Sequence, residues 1–136
     1  MLKKTISYTD YNGIARKEDF YFNLNKAEIT KMEMSVNGGM AERINRIIAA
    51  QDTPAIIEVF EDLIQKSYGV KTLDGKGFIK RKEDLEAFMA TEAYSQLFME
   101  LATDDVAASE FINGIIPADL SEQIDKQSLA AIANNA

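Results

Sequence analysis

The chain has 136 residues, 46% of them hydrophobic, which suits one domain with a real core. It contains no cysteine and no histidine, which excludes disulfides, thiolate metal sites and the usual general base near neutral pH. Its formal charge of −7 repels nucleic acid phosphates and anionic lipid, so binding to either is not expected.

The opening MLKKTISYTD has two lysines but no apolar region behind them, so it does not read as a signal peptide. No apolar run approaches the ~18 residues that a membrane-spanning helix needs. Thr5 to Thr9 and Phe20 to Phe22 are strand formers. Asp10-Tyr11-Asn12-Gly13 lies between them, and Asn-Gly predicts a type I′ hairpin turn. Ile6 and Tyr8 share one face of this ribbon, as do Phe20 and Phe22. Two strands alone are marginal in water, so the ribbon must pack on helices.

Asn25 is placed to cap the first helix, with Glu28 completing a capping box and Leu24 and Ile29 a hydrophobic staple. Ile29, Met32 and Val36 then lie on one face. Asn37-Gly38-Gly39 predicts a break. A second helix is expected from Met40 to Gln51, with Met40, Ile44, Ile47 and Ile48 as its stripe. Thr53 as cap and Pro54 at the first helical position restart the chain. Ile57, Phe60, Leu63 and Ile64 face one way, and Gly69 is expected to end that helix.

Val70 to Gly77 reads as irregular, with a tight turn at Leu73–Gly77 and a small second hairpin with Phe78 and Ile79. A calcium loop fails here. With Gly75 at the loop's sixth position, the first, third and twelfth positions are Val70, Thr72 and Arg81, none a carboxylate. Lys76 to Lys82, with Lys71, is the best basic cluster, and it reads as a solvated loop and helix start.

From Lys82 the pattern is helical. Leu85, Phe88 and Met89 make one stripe; Tyr94, Leu97, Phe98 and Leu101 make another, turned by ~60° at ~100° per residue. That predicts a break or reorientation near Thr91. Thr103-Asp104-Asp105 starts a further helix, with Ala108, Phe111, Ile112 and Ile115 inward. Asn113-Gly114 is expected to supply a left-handed stop ahead of Pro117. After Pro117 the chain has no aromatic residue, and a loose tail is expected.

No catalytic constellation emerges. Glu58 and Asp62 share a helix face, but paired carboxylates need distinct environments in a cleft to do acid/base work. Ser67 and Ser95 lack a nucleophile-elbow context, and no phosphate or dinucleotide loop is present. No catalytic, cofactor or metal residue is therefore expected. Methionines 32, 34, 40, 89 and 99 fall within helices, and methionine adapts to irregular partners.

YTDYNGIARKEDFYFNLNKAEITKME resembles the start of the small tail assembly chaperones of long non-contractile-tailed bacteriophages. GFIKRKEDLEAF, ATEAYSQLFMEL and AASEFINGIIP are similar to later parts of the same family. The resemblance spans about residues 1 to 120. It implies a protein that binds the long helical tape measure protein and helps tail tube protein polymerise around it. It also implies action in the host bacterial cytoplasm and absence from the mature virion. In many such genes a frameshift makes a longer form, of which this chain would be the short one.

The expectation is an α+β, mainly helical single domain with an N-terminal β-hairpin. Residues 1–117 form the hairpin plus helical domain, and 118–136 a flexible C-terminal tail. The function expected is that of a non-enzymatic tail assembly chaperone with the tape measure and tail tube proteins as partners, and self-association is compatible with it. The partner-facing set is Phe88, Met89, Tyr94, Phe98 and Met99. The alternatives are a head–tail connector or minor tail component of the virion, and a small host-takeover inhibitor or enzyme.

Overall fold

The computed structural model describes residues 1–35, 43, 46, 50 and 53–117. Val36, the expected break at Asn37-Gly38-Gly39 and the segment 118–136 lie outside the described residues, as does the expected helix from Met40 to Gln51 apart from Arg43 and Arg46, which are helical, and Ala50.

β1 (Leu2–Thr9) and β2 (Ala15–Phe22) pair antiparallel, from Leu2↔Phe22 to Thr9↔Ala15. Because side chains alternate along a strand, Ile6 and Tyr8 share the core-facing side with Phe20 and Phe22. The turn is a three-residue connection, Tyr11 to Gly13, and not the expected two-residue type I′ turn. The Asp10 N–H donates to the Ile14 carbonyl (2.9 Å), the Gly13 N–H donates to the Asp10 carbonyl (3.0 Å), and Gly13 has φ +80°. The Asp10 carboxylate accounts for the extra residue, since it accepts the N–H groups of Asn12 and Ile14 (both 2.9 Å) and Arg16 Nε (2.6 Å).

α1 (Lys26–Ser35) begins with the expected box. Asn25 Oδ1 accepts the Glu28 N–H (2.9 Å), and Glu28 Oε1 accepts the Asn25 N–H (3.0 Å). Leu24 and Ile29 are both buried, as a staple requires. α2 (Thr53–Ser67) includes Thr53 as helix and buries Val59, Phe60, Leu63 and Ile64. It runs directly into β3 (Tyr68–Lys71), so Gly69 is a strand residue and not a helix stop. Its lack of a side chain serves a close approach. A Cβ there would lie 2.7 Å from the Phe78 ring.

β3 pairs with β4 (Phe78–Ile79), and Gly75 at φ +74° makes the intervening turn. β3 also pairs with β2 through Tyr21↔Gly69 and Phe22↔Tyr68, so the two hairpins form one four-stranded antiparallel sheet in the order β1-β2-β3-β4. The molecule is thus an α+β protein with an N-terminal hairpin and five helices among its described residues.

α3 (Lys82–Met89) and α4 (Glu92–Thr103) are separated at Ala90 and Thr91, where the two stripes predicted a change of direction. Thr91 is extended, and its hydroxyl accepts the Tyr94 N–H (3.3 Å). Asp104 caps α5 (Asp105–Ile115) by accepting the N–H groups of Val106 and Ala107 (3.0 and 3.1 Å). α5 continues through Asn113 and Gly114 with no left-handed stop at Gly114. A Cβ on Gly114 would sit 2.8 Å from a Leu2 methyl and 3.1 Å from Leu2 Cβ, so this glycine lets the helix meet β1. The end comes at Ile116, whose extended backbone (φ −98°, ψ 150°) is what a residue before proline favours.

Helix and sheet meet in one core. Phe22, Leu24, Ile64, Leu97, Phe111 and Ile115 are its most buried large side chains. The Leu24 N–H donates to the Ile115 carbonyl (2.7 Å), which ties the end of α5 to the chain leaving β2.

Candidate partner-docking face

The expected partner-facing residues lie on α3 and α4, around an aromatic cluster built by four elements. Phe88 is at its centre. Its ring stacks on Tyr68 (4.4 Å, 11°) and meets Phe20, Phe22 and Tyr94 at 5.0, 5.8 and 5.5 Å. At 2% exposure it belongs to the core and supports the face from beneath. Tyr94 and Phe98, four apart on α4, are half-buried with ring centroids 6.4 Å apart. The Tyr94 hydroxyl accepts from Gln65 Nε2 (3.4 Å), which joins α4 to α2.

Met89, at the end of α3, is half-buried. Met99 is 53% exposed and is the most open of the five. A step of ~100° per residue turns it away from the direction of Phe98. The structure therefore brings Phe88, Tyr94 and Phe98 into one cluster and sets Met99 on another flank of α4. Val106, at 64% exposure on α5, is a further open apolar side chain in this part of the chain.

The sequence reading missed two exposed apolar residues at the second hairpin. Val70 and Leu73 line an open groove with Lys71, Lys76, Ile79 and Arg81. The four residues Tyr68 to Lys71 are too few for alternation to signal a strand, and a glycine after an apolar helix resembles a helix stop. Of the expected basic cluster, Lys71, Lys76 and Arg81 line this groove, whereas Lys80 and Lys82 have other partners. Lys80 Nζ binds Glu28 (2.5 Å) and the Asn23 carbonyl (2.7 Å), Lys71 Nζ lies 4.2 Å from the centre of the Tyr21 ring, and Lys82 faces Glu86 at 3.8 Å.

Several titratable groups are shifted by their surroundings. Burial pushes the Tyr68 hydroxyl above its ordinary value, with the Asp84 charge adding to it. The Glu18 carboxylate raises the Tyr8 hydroxyl above its ordinary value by accepting a hydrogen bond from it. The N–H groups and hydroxyl that bind Asp10 and Asp74 hold those carboxyls below the ordinary range. Asp62 is paired with Lys66 (2.9 Å) rather than with Glu58. Among the described residues no three His, Cys, Asp or Glu side chains gather as a metal would need, and no helix is long and apolar enough to cross a membrane.

Fold and candidate face together give a small α+β protein with an aromatic cluster and a partly open apolar rim on two short helices. The family model described as phage tail assembly chaperone matches residues 1–136, and the chain belongs to that family. Neither the curated proteins nor the solved structures give a match.

Proposed function

We propose that the protein binds the tape measure protein and promotes polymerisation of tail tube protein around it, without catalysing a reaction. Membership of the tail assembly chaperone family over the whole chain is the observation that carries this reading. The physics is compatible with it. A long amphipathic helical partner exposes apolar stripes that aggregate unless covered during assembly. A carrier with a charge of −7 stays soluble while crowded along such a partner. Copies acting together gain avidity from weak single contacts. The protein would work in the cytoplasm of the infected host and leave before the virion matures.

The docking set is Met99 with the half-buried rim of Met89, Tyr94 and Phe98, held from below by Phe88. Co-expression with the tape measure protein tests the reading. A rise in that partner's soluble yield and a joint peak on size exclusion are expected. Unchanged yield and separate peaks would remove the proposal, and the protein's presence in purified particles would favour a structural tail component instead. Phe98→Asp separates the roles of the rim. Loss of the joint peak with an unchanged circular dichroism spectrum assigns it to docking, and global unfolding assigns it to the core.

A further inference from the structure

Beside the β3–β4 turn lies an open groove of about 800 Å³. Val70, Leu73 and Ile79 supply its apolar lining. Leu73 is fully exposed and Val70 is 43% exposed. Single apolar side chains are ordinary on a surface, but two at one groove with a third in its wall make a patch. Lys71, Lys76 and Arg81 surround it, all exposed. The Tyr21 ring holds Lys71, whereas Lys76 and Arg81 make no ion pair among the described residues. Asp74 is the one carboxylate in the lining, and it is engaged by the Thr72 hydroxyl (2.6 Å) and the Lys76 N–H (3.0 Å). The groove therefore suits apolar side chains accompanied by carboxylates.

The end of α5 delivers a segment of that chemistry to the same corner. The Ile115 carbonyl accepts the Leu24 N–H (2.7 Å), and the carbonyl of the adjacent Asn23 accepts Lys80 Nζ (2.7 Å). Lys80 stands between Ile79 and Arg81 of the groove. Beyond Pro117 the chain continues as ADLSEQID, residues 118–125, in which Leu120 and Ile124 are interleaved with Asp119, Glu122 and Asp125 and no basic residue occurs.

We propose that segment 118–125 of the same chain occupies this groove, with Leu120 and Ile124 against the apolar lining and the carboxylates beside Lys76 and Arg81. Charge selects this occupant over the stretch 36–52, in which Arg43 and Arg46 balance Glu42 and Asp52. Length permits it. The residues from Ala118 to Ile124 reach about 23 Å when extended, farther than two hydrogen bonds and one lysine side chain carry the path from Ile115 to Ile79. A tethered segment meets its site at an effective concentration on the order of millimolar, so even a weak contact is populated. The docked segment covers the apolar patch, and any partner segment of the same chemistry must displace it. The inference involves this chain alone and stands or falls apart from the tape measure reading.

Paramagnetic NMR on the full chain tests it. The chain has no cysteine, so Gln127→Cys accepts a single nitroxide just past the segment. In ~20 mM salt the amide signals of Val70, Gly77 and Ile79 should be strongly broadened, and the broadening should weaken at ~500 mM salt, where the Debye length is only a few ångströms. Lys76→Glu with Arg81→Glu should remove it, as should Glu122→Lys with Asp125→Lys. Lys76 and Arg81 are exposed, so the fold should persist in circular dichroism. Should the groove pair unfold the chain, the segment pair and the salt dependence still decide. The chain carrying all four changes should broaden again, because each reversed charge meets a reversed partner. Broadening carried instead onto isotope-labelled, nitroxide-free copies in a mixed sample would place the segment on a neighbour and overturn the proposal. So would a lack of broadening, broadening indifferent to the segment pair, or failure of a folded fourfold variant to recover it.

Discussion

Gly114 occupies a position where alanine would ordinarily strengthen the helix by ~1 kcal/mol. Its neighbour Leu2 reverses that preference, because an added Cβ would stand 2.8 Å from the Leu2 methyl. Overpacking of this kind costs ~1–3 kcal/mol, so Gly114→Ala should lower stability to urea by a net ~1 kcal/mol. In a Leu2→Ala background the penalty should shrink, because of the three close contacts only the one with the Leu2 Cβ (3.1 Å) survives. Equal effects in both backgrounds would show that the contact is not what selects glycine. Asp10 makes the second residue-scale case. The Ile14 N–H and then the Arg16 guanidinium hold its carboxyl below the ordinary carboxylate value. A depressed carboxyl stabilises the fold above its unfolded value, and that contribution is lost as pH falls through the folded one. The groups that bind this carboxylate, the N–H groups of Asn12 and Ile14 and the Arg16 guanidinium, all lie in or beside the turn, so the effect belongs to the turn rather than to global stability. An NMR titration should place the Asp10 carboxyl midpoint below 3.8, with the Asn12 and Ile14 amide signals moving at the same midpoint. The capping box at Asn25 and Glu28 was legible in sequence because its partners lie three residues apart. The role of Gly114 was not, because its partner sits at the far end of the described chain.

Helix starts are where this sequence speaks most directly. Asp104 accepts two N–H groups and places a negative charge at the start of α5, whereas Thr91 accepts one at 3.3 Å. Asp104→Ala should therefore cost ~1 kcal/mol or more, and Thr91→Ala less, in chemical denaturation. The opposite order would mean that the Thr91 corner, whose hydroxyl also donates to the Phe88 carbonyl (2.6 Å), governs the α3–α4 angle more strongly than capping geometry suggests. Strand β3 was the element least visible beforehand. A glycine after an apolar helix usually marks its end, and the four residues Tyr68 to Lys71 are too few for alternation to stand out. What makes them a strand is the edge of β2, reached through Tyr21↔Gly69 and Phe22↔Tyr68. That pairing is long-range, and local pattern carries no trace of it. The candidate face was legible in composition but not in depth. A periodic stripe identifies apolar positions, and only the packing of β2, β3 and α4 around Phe88 decides which are buried.

At the scale of the whole molecule, Phe88 connects both hairpins to the helical layer. It touches Phe20 and Phe22 of β2, Tyr68 of β3 and Tyr94 of α4. Removing it opens a cavity at the junction of all three. Phe88→Ala should cost ~3–5 kcal/mol, a large fraction of the stability of a domain this size. Met99 has the opposite character. At 53% exposure it contributes little to the fold, so Met99→Asp should change stability by no more than ~0.5 kcal/mol. The two variants therefore divide the expected partner-facing set by mechanism. Urea denaturation should show a large shift for Phe88→Ala and almost none for Met99→Asp. Pull-down with the tape measure protein should weaken about tenfold or more for Met99→Asp while its circular dichroism is unchanged. If Met99→Asp binds as the wild type does, the docking surface lies away from that flank of α4, and the exposed Val70 and Leu73 of the second hairpin become the residues to change next.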